Sequence, residues 1–198
     1  MYTVIGSANN RTFRVIWMLE ELGQSYDRIR AKQHTPEVKE HSPLGKLPVL
    51  LDDGEAITDS AAILTYLADK HGAMTAPAGT IARAKQDALT FQILDDLEAI
   101  IWAATRHGFI LPEDKRVEGV KDTAKWEWAR NLKGIEERFQ GPFLMGDQMS
   151  VPDILLTHTL GWGFGAKFPI ESDKLMAYGK DMRGRDAYKR AVASEQEA

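Results

Sequence analysis

The chain has 198 residues, which suits one compact domain or two small packed domains. Its composition, 43% hydrophobic and 27% charged, is typical of a globular protein, and the net charge of −4 argues against a general polyanion or nucleic-acid binder. With no Cys at all, the sequence excludes disulfides, Cys-ligated metal and a thiol nucleophile supplied by the protein.

The apolar runs of the sequence are short. The run at residues 47–51 is one of the longest and is far below the ~20 residues that a membrane-spanning helix needs. The first six residues lack the basic start and the longer apolar stretch of a signal peptide. We therefore expect a cytoplasmic protein without a membrane partner.

The first 73 residues alternate between strand-like and helix-like patterns. A β-prone run is ended by Gly6, polar turn residues follow, and apolar residues then recur at helical spacing from Thr12 to Gly23. In chain order the predicted elements are a strand at 2–5, a helix at 12–22, an edge strand at 25–31, a short helix at 35–41, a buried strand at 47–51, a hairpin return strand at 56–57, and a helix capped by Asp59-Ser60. This order predicts a small mixed sheet with helices.

Residues 74–80 are small and rich in Pro and Gly, as expected of a linker. Almost everything after them has helical period, and the predicted helices span 81–108, 120–139, 151–164 and 171–193. Ser150 and Asp153 have the spacing of a capping box, with Met149 and Ile154 placed as its hydrophobic staple. The sequence therefore predicts an α/β domain over 1–73 and an all-helical domain over 81–198.

Several segments resemble one family in the family's own order. The run PLGKLPVL at residues 43–50, followed by Asp59-Ser60, resembles the "NPxGKVPxL … [DE]S" pattern of glutathione S-transferases. The run RVIWMLEELG at 14–23 is similar to their first helix, and SVPDI at 150–154 is similar to their capping box, with Pro152 replacing the usual Ala. This resemblance covers the whole chain. It implies an N-terminal thioredoxin-like domain, a C-terminal helical bundle domain and a homodimer.

The resemblance also implies a glutathione site. The Leu47-Pro48 bond would be cis, which turns the main chain of Leu47 outward to pair with the cysteinyl backbone of glutathione. Lys46 would meet the glycyl carboxylate, and at Asp59-Ser60, a helix N-terminus, backbone amides and a hydroxyl would hold the γ-glutamyl carboxylate. Without a ligand, the same residues are a buried X-Pro bond and an ordinary helix cap.

The nucleophile has to come from glutathione, because the protein has no thiol. A hydrogen bond from a side chain and a nearby helix N-terminus are together large enough to lower a thiol pKa from ~8.5 by about 2 units. In members that use Ser, the donor stands four places before the Arg that matches Arg14, and Asn10 occupies that place. Ser7, Asn9 and Thr12 stay open as catalytic alternatives, and the group also suits a plain turn.

The resemblance predicts an electrophile pocket beside the first long helix of the second domain. Trp102, Arg106 and Phe109 share one face of that helix, although core packing of the two rings with a solvated Arg106 explains the pattern equally well. Trp162 and Phe164 are candidates for the far wall of this pocket, but they lie in a Gly-rich run, where the glycines favour a close contact between helices. The five His have no metal-ligand spacing, so we expect no metal.

Three functions remain open from the sequence. The first is a detoxifying glutathione transferase that conjugates glutathione, its co-substrate, to a small hydrophobic electrophile, with peroxide reduction as a related activity. The second is a glutathione-dependent isomerase or dehalogenase. The third is a non-catalytic scaffold of the same fold that acts through protein contacts, which the retention of Lys46, Pro48, Asp59 and Ser60 disfavours.

Overall fold

The computed structural model describes residues 1–195, and these residues form two compact units. The first unit contains Met1–Ala78 together with the residues from Arg183 onward, and the second contains Gly79–Met182. The first boundary lies within the linker predicted at 74–80, but the last stretch of chain groups with the sheet unit instead of with the helical unit.

The first unit is built on a four-stranded sheet. Its elements, in chain order, are β1 (Tyr2–Ile5), α1 (Thr12–Glu21), β2 (Tyr26–Ile29), α2 (Pro36–His41), β3 (Val49–Asp52), β4 (Glu55–Thr58) and α3 (Ser60–His71). The strand order is β2-β1-β3-β4, with β1 parallel to β2 and antiparallel to β3, and β3 antiparallel to β4. This arrangement confirms the predicted thioredoxin-like domain.

Helix α1 provides the core of this unit. All eight of its residues from Thr12 to Leu19 are buried, which is more than one amphipathic face would cover. The reason is that α1 is covered on more than one side: the ring of Trp17, fully buried, lies 4.9 Å from the ring of Tyr188, which belongs to α9 (Asp186–Ala193). A helix enclosed in this way needs apolar side chains around most of its circumference.

The second unit is helical. It contains α4 (Ile81–Ile93), α5 (Ala99–Thr105), α6 (Val120–Arg138), α7 (Val151–Gly165) and most of α8 (Asp173–Gly184), with a short 3₁₀ turn at Glu113–Lys115. The helix predicted over 81–108 is continuous to Ile110, but it contains two wide π-helical turns, at Leu94–Glu98 and Arg106–Ile110. The predicted helical bundle domain is confirmed.

The single helix predicted over 171–193 is wrong. The helix is interrupted between α8 and α9 at Arg185, whose backbone is extended, with φ −64° and ψ 143°. Gly184 is a weak helix former, and the Arg185 guanidinium donates two hydrogen bonds to the Glu21 carboxylate, at 2.7 and 2.8 Å. A tertiary ion pair therefore sets the break, and α9 packs against α1.

The predicted structure around α7 is confirmed at two points. Ser150 and Asp153 form a reciprocal capping box at its start. Further along the helix, a Cβ added at Gly163 would lie 2.6 Å from the ring of Trp128 in α6. The Gly-rich run therefore makes a close contact between helices, as the glycines indicated. Within residues 1–195 no helix is long and apolar enough to cross a membrane.

Candidate functional site

Three segments of the first unit meet at one end of the sheet. In the strand register, Ile5 pairs with Val49, and Val49 pairs with Thr58. These three paired residues form a row across the sheet. Because β1 ends, β3 begins and β4 ends in this row, the residues just beyond it lie at the same end of the sheet, called the sheet edge below. They are the loop that follows Ile5, the Leu47-Pro48 pair and Asp59. The sheet therefore brings together the three segments in which the sequence predicted a glutathione site.

The loop after β1 leaves the strand at Gly6. This residue has φ +131°, which favours glycine, and a Cβ added to it would lie 2.3 Å from Oγ1 of Thr12. The start of α1 is therefore packed directly on the end of β1. Thr12 is fully buried, and its hydroxyl donates to Oδ1 of Asn10 at 2.7 Å. Thr12 thus supports Asn10 and has no exposed group to offer a ligand.

The amide of Asn10 has a fixed orientation. Its Oδ1 accepts two hydrogen bonds, from the Thr12 hydroxyl at 2.7 Å and from the Thr12 N–H at 2.9 Å. The amide nitrogen is consequently on the opposite side, where it makes one long contact of 3.3 Å with Oδ1 of Asn9. An NH₂ group has two hydrogens, so Asn10 keeps donor capacity at the half-buried surface of the loop.

The other two candidates in this loop differ in availability. The Ser7 hydroxyl donates to Oε1 of Glu195 at 2.7 Å, so its one hydrogen is already used. Asn9 is exposed, and its side-chain oxygen accepts from Asn10. No sequence signal placed Glu195 here, because 188 positions separate it from Ser7.

The N–H groups in the first turn of α1 donate to residues just before the helix. The N–H of Phe13 donates to the Asn10 carbonyl at 3.0 Å, and that of Arg14 to the Arg11 carbonyl at 3.2 Å. Together with the Thr12 N–H, which donates to Asn10, three amides at this helix start are taken. An anion at this helix start would therefore interact with the field of α1 more than with direct N–H donors.

The Leu47-Pro48 peptide bond is cis, as the resemblance predicted. Leu47 and Pro48 are buried and lead into β3, and Leu47 belongs to an apolar cluster with Ile5, Val38 and Val49. Within residues 1–195 no hydrogen bond uses the main-chain N–H or C=O of Leu47. This stretch of main chain, just before β3, is thus available to pair with a peptide-like ligand.

Lys46 precedes this segment, and its side chain is exposed. Its own N–H donates to the hydroxyl of Ser42 at 3.2 Å, which fixes the backbone here. A tight approach at Gly45 adds to this, since a Cβ there would lie 2.7 Å from Nδ1 of His34. Among the described residues the Lys46 ammonium has no carboxylate partner, so its charge is available at this edge.

Asp59 caps helix α3. Its Oδ1 accepts from the N–H of Ala61 at 2.9 Å and of Ala62 at 3.1 Å, and its φ of 71° is strained for a residue with a side chain. Ser60 is buried, and its hydroxyl accepts from the guanidinium of Arg14 at 3.2 Å. Strained residues are frequent at binding sites, and a buried cation beside Ser60 favours an anionic group at this helix start.

The predicted electrophile residues lie in the second unit. Trp102 is half-buried on α5, with its ring 6.2 Å from the ring of Trp162 on α7. Arg106 and Phe109 lie in the second π-helical turn and are exposed, Phe109 to 70%. Phe109 is therefore not a core residue, and the role of these three residues in a pocket stays a prediction. Among the described residues no cluster of three His, Asp or Glu side chains is arranged to bind a metal.

Comparison with known proteins agrees with this geometry. A family model described as the glutathione S-transferase N-terminal domain matches residues 11–70. Glutathione S-transferase 3 of Schizosaccharomyces pombe is 44% identical over 69 residues, a segment that covers 32% of this chain and 28% of that protein. Maleylacetoacetate isomerase of Rhizobium meliloti is 27% identical over 203 residues, covering 92% of this chain and 91% of that protein.

Solved structures extend the likeness to the complete fold. The crystal structure of a glutathione transferase from Methylococcus capsulatus strain Bath superposes with a TM-score of 0.85 at 25% identity, and 100% of both chains is covered. Sequence, fold and the three segments at the sheet edge point the same way. Over residues 11–70 the chain matches the glutathione S-transferase N-terminal domain, and over its full length it has the fold of a solved glutathione transferase.

Proposed function

We propose that this protein is a glutathione transferase that ionises the thiol of bound glutathione and joins its sulfur to an electrophilic carbon of a small hydrophobic substrate. The observation that carries the proposal is the row Ile5, Val49 and Thr58, which brings the loop after β1, the Leu47 main chain and the start of α3 to one edge. A tripeptide that lies along this end of the sheet meets the unpaired main chain of Leu47, a cation and a helix N-terminus.

Each part of glutathione has a matching group in this proposal. The cysteinyl backbone pairs with the main chain of Leu47 as an added strand. The glycyl carboxylate meets the Lys46 ammonium, and the γ-glutamyl carboxylate meets Ser60 at the N-terminus of α3. The sulfur then lies at the loop after β1, where Asn10 has an amide N–H to donate.

The free energy needed to ionise the bound thiol is modest. Lowering a thiol pKa by about 2 units corresponds to ~2.7 kcal/mol of preference for the thiolate. A hydrogen bond to an anion contributes about 1.5–3 kcal/mol, and the field of a helix N-terminus adds about 0.3–1 kcal/mol. One donor on Asn10 and the start of α1 are therefore sufficient without a general base.

Titration of the protein with glutathione tests the binding part of the proposal. We expect saturable binding in a calorimeter, together with thiolate absorbance in the ultraviolet at a pH where free glutathione is mostly protonated. Lys46→Met should weaken binding several-fold, because one carboxylate loses its cation. Lys189→Met is the matched control, since Lys189 is an exposed lysine on α9 and belongs to none of the three segments of the site. Failure to bind glutathione would contradict the proposal and would favour a non-catalytic scaffold of this fold.

A second candidate function is isomerisation. It is favoured by the similarity to maleylacetoacetate isomerase, which covers more than nine tenths of both chains. The two activities differ in what happens to glutathione, since conjugation consumes one molecule per turnover and isomerisation regenerates it. Assays with a chlorodinitrobenzene, an organic hydroperoxide, a haloalkane and maleylacetoacetate, each with glutathione quantified before and after, separate transferase, peroxidase, dehalogenase and isomerase.

A further inference from the structure

Residues 194 and 195, which follow α9, lie against the loop after β1. The carboxylate of Glu195 accepts the Ser7 hydroxyl at Oε1, at 2.7 Å, and the Ala8 N–H at Oε2, at 2.9 Å. The side chain is 30% exposed, so most of it is covered by these contacts. A carboxylate from the far end of the described chain thus holds the first two residues after Gly6.

Two arginines, Arg28 in β2 and Arg30 just after it, fix this segment from the other side. The Arg28 guanidinium donates to Oε2 of Glu195 at 2.9 Å and to the Gly6 carbonyl at 3.2 Å, and it also contacts the Ser194 carbonyl at 2.9 Å. Arg30 donates to the carbonyl of Ser194 at 2.8 Å and to that of Glu195 at 3.1 Å. Residues 194–195 therefore connect β2 to the loop after β1.

Glu195 is charged in this position. Burial raises the pKa of its carboxyl, but the hydrogen bonds from Ser7, the Ala8 amide and Arg28 outweigh that effect and lower the pKa to about 2. At neutral pH all of its contacts are therefore charge-assisted hydrogen bonds, which are stronger than neutral ones.

The loop is fixed at both ends, and Glu195 provides one of the two attachments. Thr12 fixes Asn10 at the helix end, as described above. At the strand end, within residues 1–195, Glu195 makes the short hydrogen bonds. The other bonds that involve side chains of this segment are long: the Asn9 N–H donates to the Ser7 hydroxyl at 3.4 Å, and the Asn10 amide donates to Oδ1 of Asn9 at 3.3 Å. Without Glu195, the segment from Ser7 to Asn9 would be held weakly.

We propose that Glu195 is a positioning residue for the thiol of bound glutathione, which acts by holding Ser7 and Ala8 and thereby Asn10. The inference rests on the proposed function, because it assigns Asn10 as the thiol donor. Glu195 itself touches neither glutathione nor the electrophile in this proposal. The alternative is that Glu195 acts only as a nearby negative charge, and the two ideas predict opposite changes in the thiol pKa.

The test compares wild-type protein with Glu195→Ala, Glu195→Gln and Arg190→Gln. Arg190 donates to Glu20 at 2.7 Å and also attaches α9 to α1, but it contacts neither Ser7 nor Ala8, so it is the matched control. For each protein the pKa of the bound thiol is read from thiolate absorbance, the dissociation constant of glutathione from calorimetry, and the hydrogen exchange of the amides of residues 8–12 from the ligand-free protein.

With Glu195→Ala we expect faster exchange of these amides, a rise of about 0.5–1 unit in the thiol pKa and less than a threefold change in the dissociation constant. Glu195→Gln keeps one acceptor oxygen, so the rise in its thiol pKa should be smaller than that in Glu195→Ala. Arg190→Gln should change neither the loop exchange nor the thiol pKa.

An unchanged or lowered thiol pKa in Glu195→Ala would overturn the positioning role, as would an equal rise in Arg190→Gln. Failure of the proposed function looks different, because wild-type protein would then fail to bind glutathione or to ionise it. The exchange of the loop amides in ligand-free protein is independent of that outcome and tests the attachment by Glu195 alone.

Discussion

The hydroxyl of Thr12 lies 2.7 Å from Oδ1 of Asn10, and this contact determines which end of the Asn10 amide faces outward. With the oxygen occupied by Thr12, the nitrogen is the group that remains for a ligand. A residue that resembled an ordinary turn amide in the sequence is therefore an oriented hydrogen-bond donor at the start of a helix.

Asn10→Ala removes this donor, and we expect the pKa of the bound thiol to rise by about 1 unit or more. Thr12→Val should raise it less, because the Thr12 N–H still holds Oδ1 at 2.9 Å. Thiolate absorbance against pH measures both changes. Asn9→Ala is the comparison, and a larger rise in that variant than in Asn10→Ala would assign the donor to Asn9 instead.

Two glycines of the same helix should respond to Ala in opposite directions. At Gly163 the new Cβ would lie 2.6 Å from the Trp128 ring, so we expect a loss of about 1–3 kcal/mol in the free energy of unfolding. At Gly161 nothing lies within 4 Å of an added Cβ, so the better helix propensity of Ala should add up to about 1 kcal/mol. Urea unfolding measures both, and equal effects would contradict the close contact of α6 and α7.

Asp153 should be one of the residues of the second unit that are most sensitive to substitution. Its carboxylate accepts from the N–H groups of Leu144 and Ser150 and from the hydroxyls of Ser150 and Tyr178, all at 2.8–2.9 Å. Burial raises the pKa of this carboxyl, against the lowering effect of these hydrogen bonds.

Asp153→Asn turns one acceptor into a donor that faces these N–H and O–H groups, and we expect a loss of about 2–4 kcal/mol in the free energy of unfolding. Tyr178→Phe removes one hydrogen bond only and should cost about 1 kcal/mol. Chemical denaturation distinguishes the two variants. Equal losses would show that the Asp153 carboxylate contributes little beyond its contact with Tyr178.

The attachment made by Glu195 should depend on pH in one direction. The pKa of its carboxyl is about 2 in the folded protein against a reference value of 4.5, so the unfolded chain binds the proton more tightly. Its stabilising effect is therefore complete above about pH 4.5 and is lost as the pH falls towards about 2.

Because the side chain is partly exposed to solvent, we expect this effect to reach no more than about 2 kcal/mol. The stability difference between wild type and Glu195→Gln should accordingly be constant from neutral pH to about pH 5 and should shrink in more acidic buffer. Urea midpoints collected across that range provide the measurement. A difference that grew on acidification would contradict the ion pair with Arg28.

Local sequence signals predicted the parts of the fold that depend on neighbouring residues. The capping box of Ser150 and Asp153 spans three positions, and the cap made by Asp59 spans two or three, so both could be identified from spacing alone. The cis bond at Leu47-Pro48 followed from the family pattern around it.

What the sequence did not indicate depends on contacts between distant residues. The break at Arg185 is set by Glu21, 164 positions away, and the position of Glu195 by Ser7 and Arg28. No helical period or propensity encodes such a pair, so the helix over 171–193 was predicted as continuous. The involvement of Ser7 with Glu195 could not be foreseen for the same reason.

The packing of α9 against α1 has a consequence for the order in which the protein is made. Tyr188 lies 5.0 Å from the ring of Phe13 and 4.9 Å from that of Trp17, and both of these rings are buried. A ribosome synthesises the strands first, yet it must add more than a hundred further residues before Tyr188 emerges to shield these rings. Until then the nascent sheet unit carries an uncovered aromatic surface, so the portion translated earliest completes its core late.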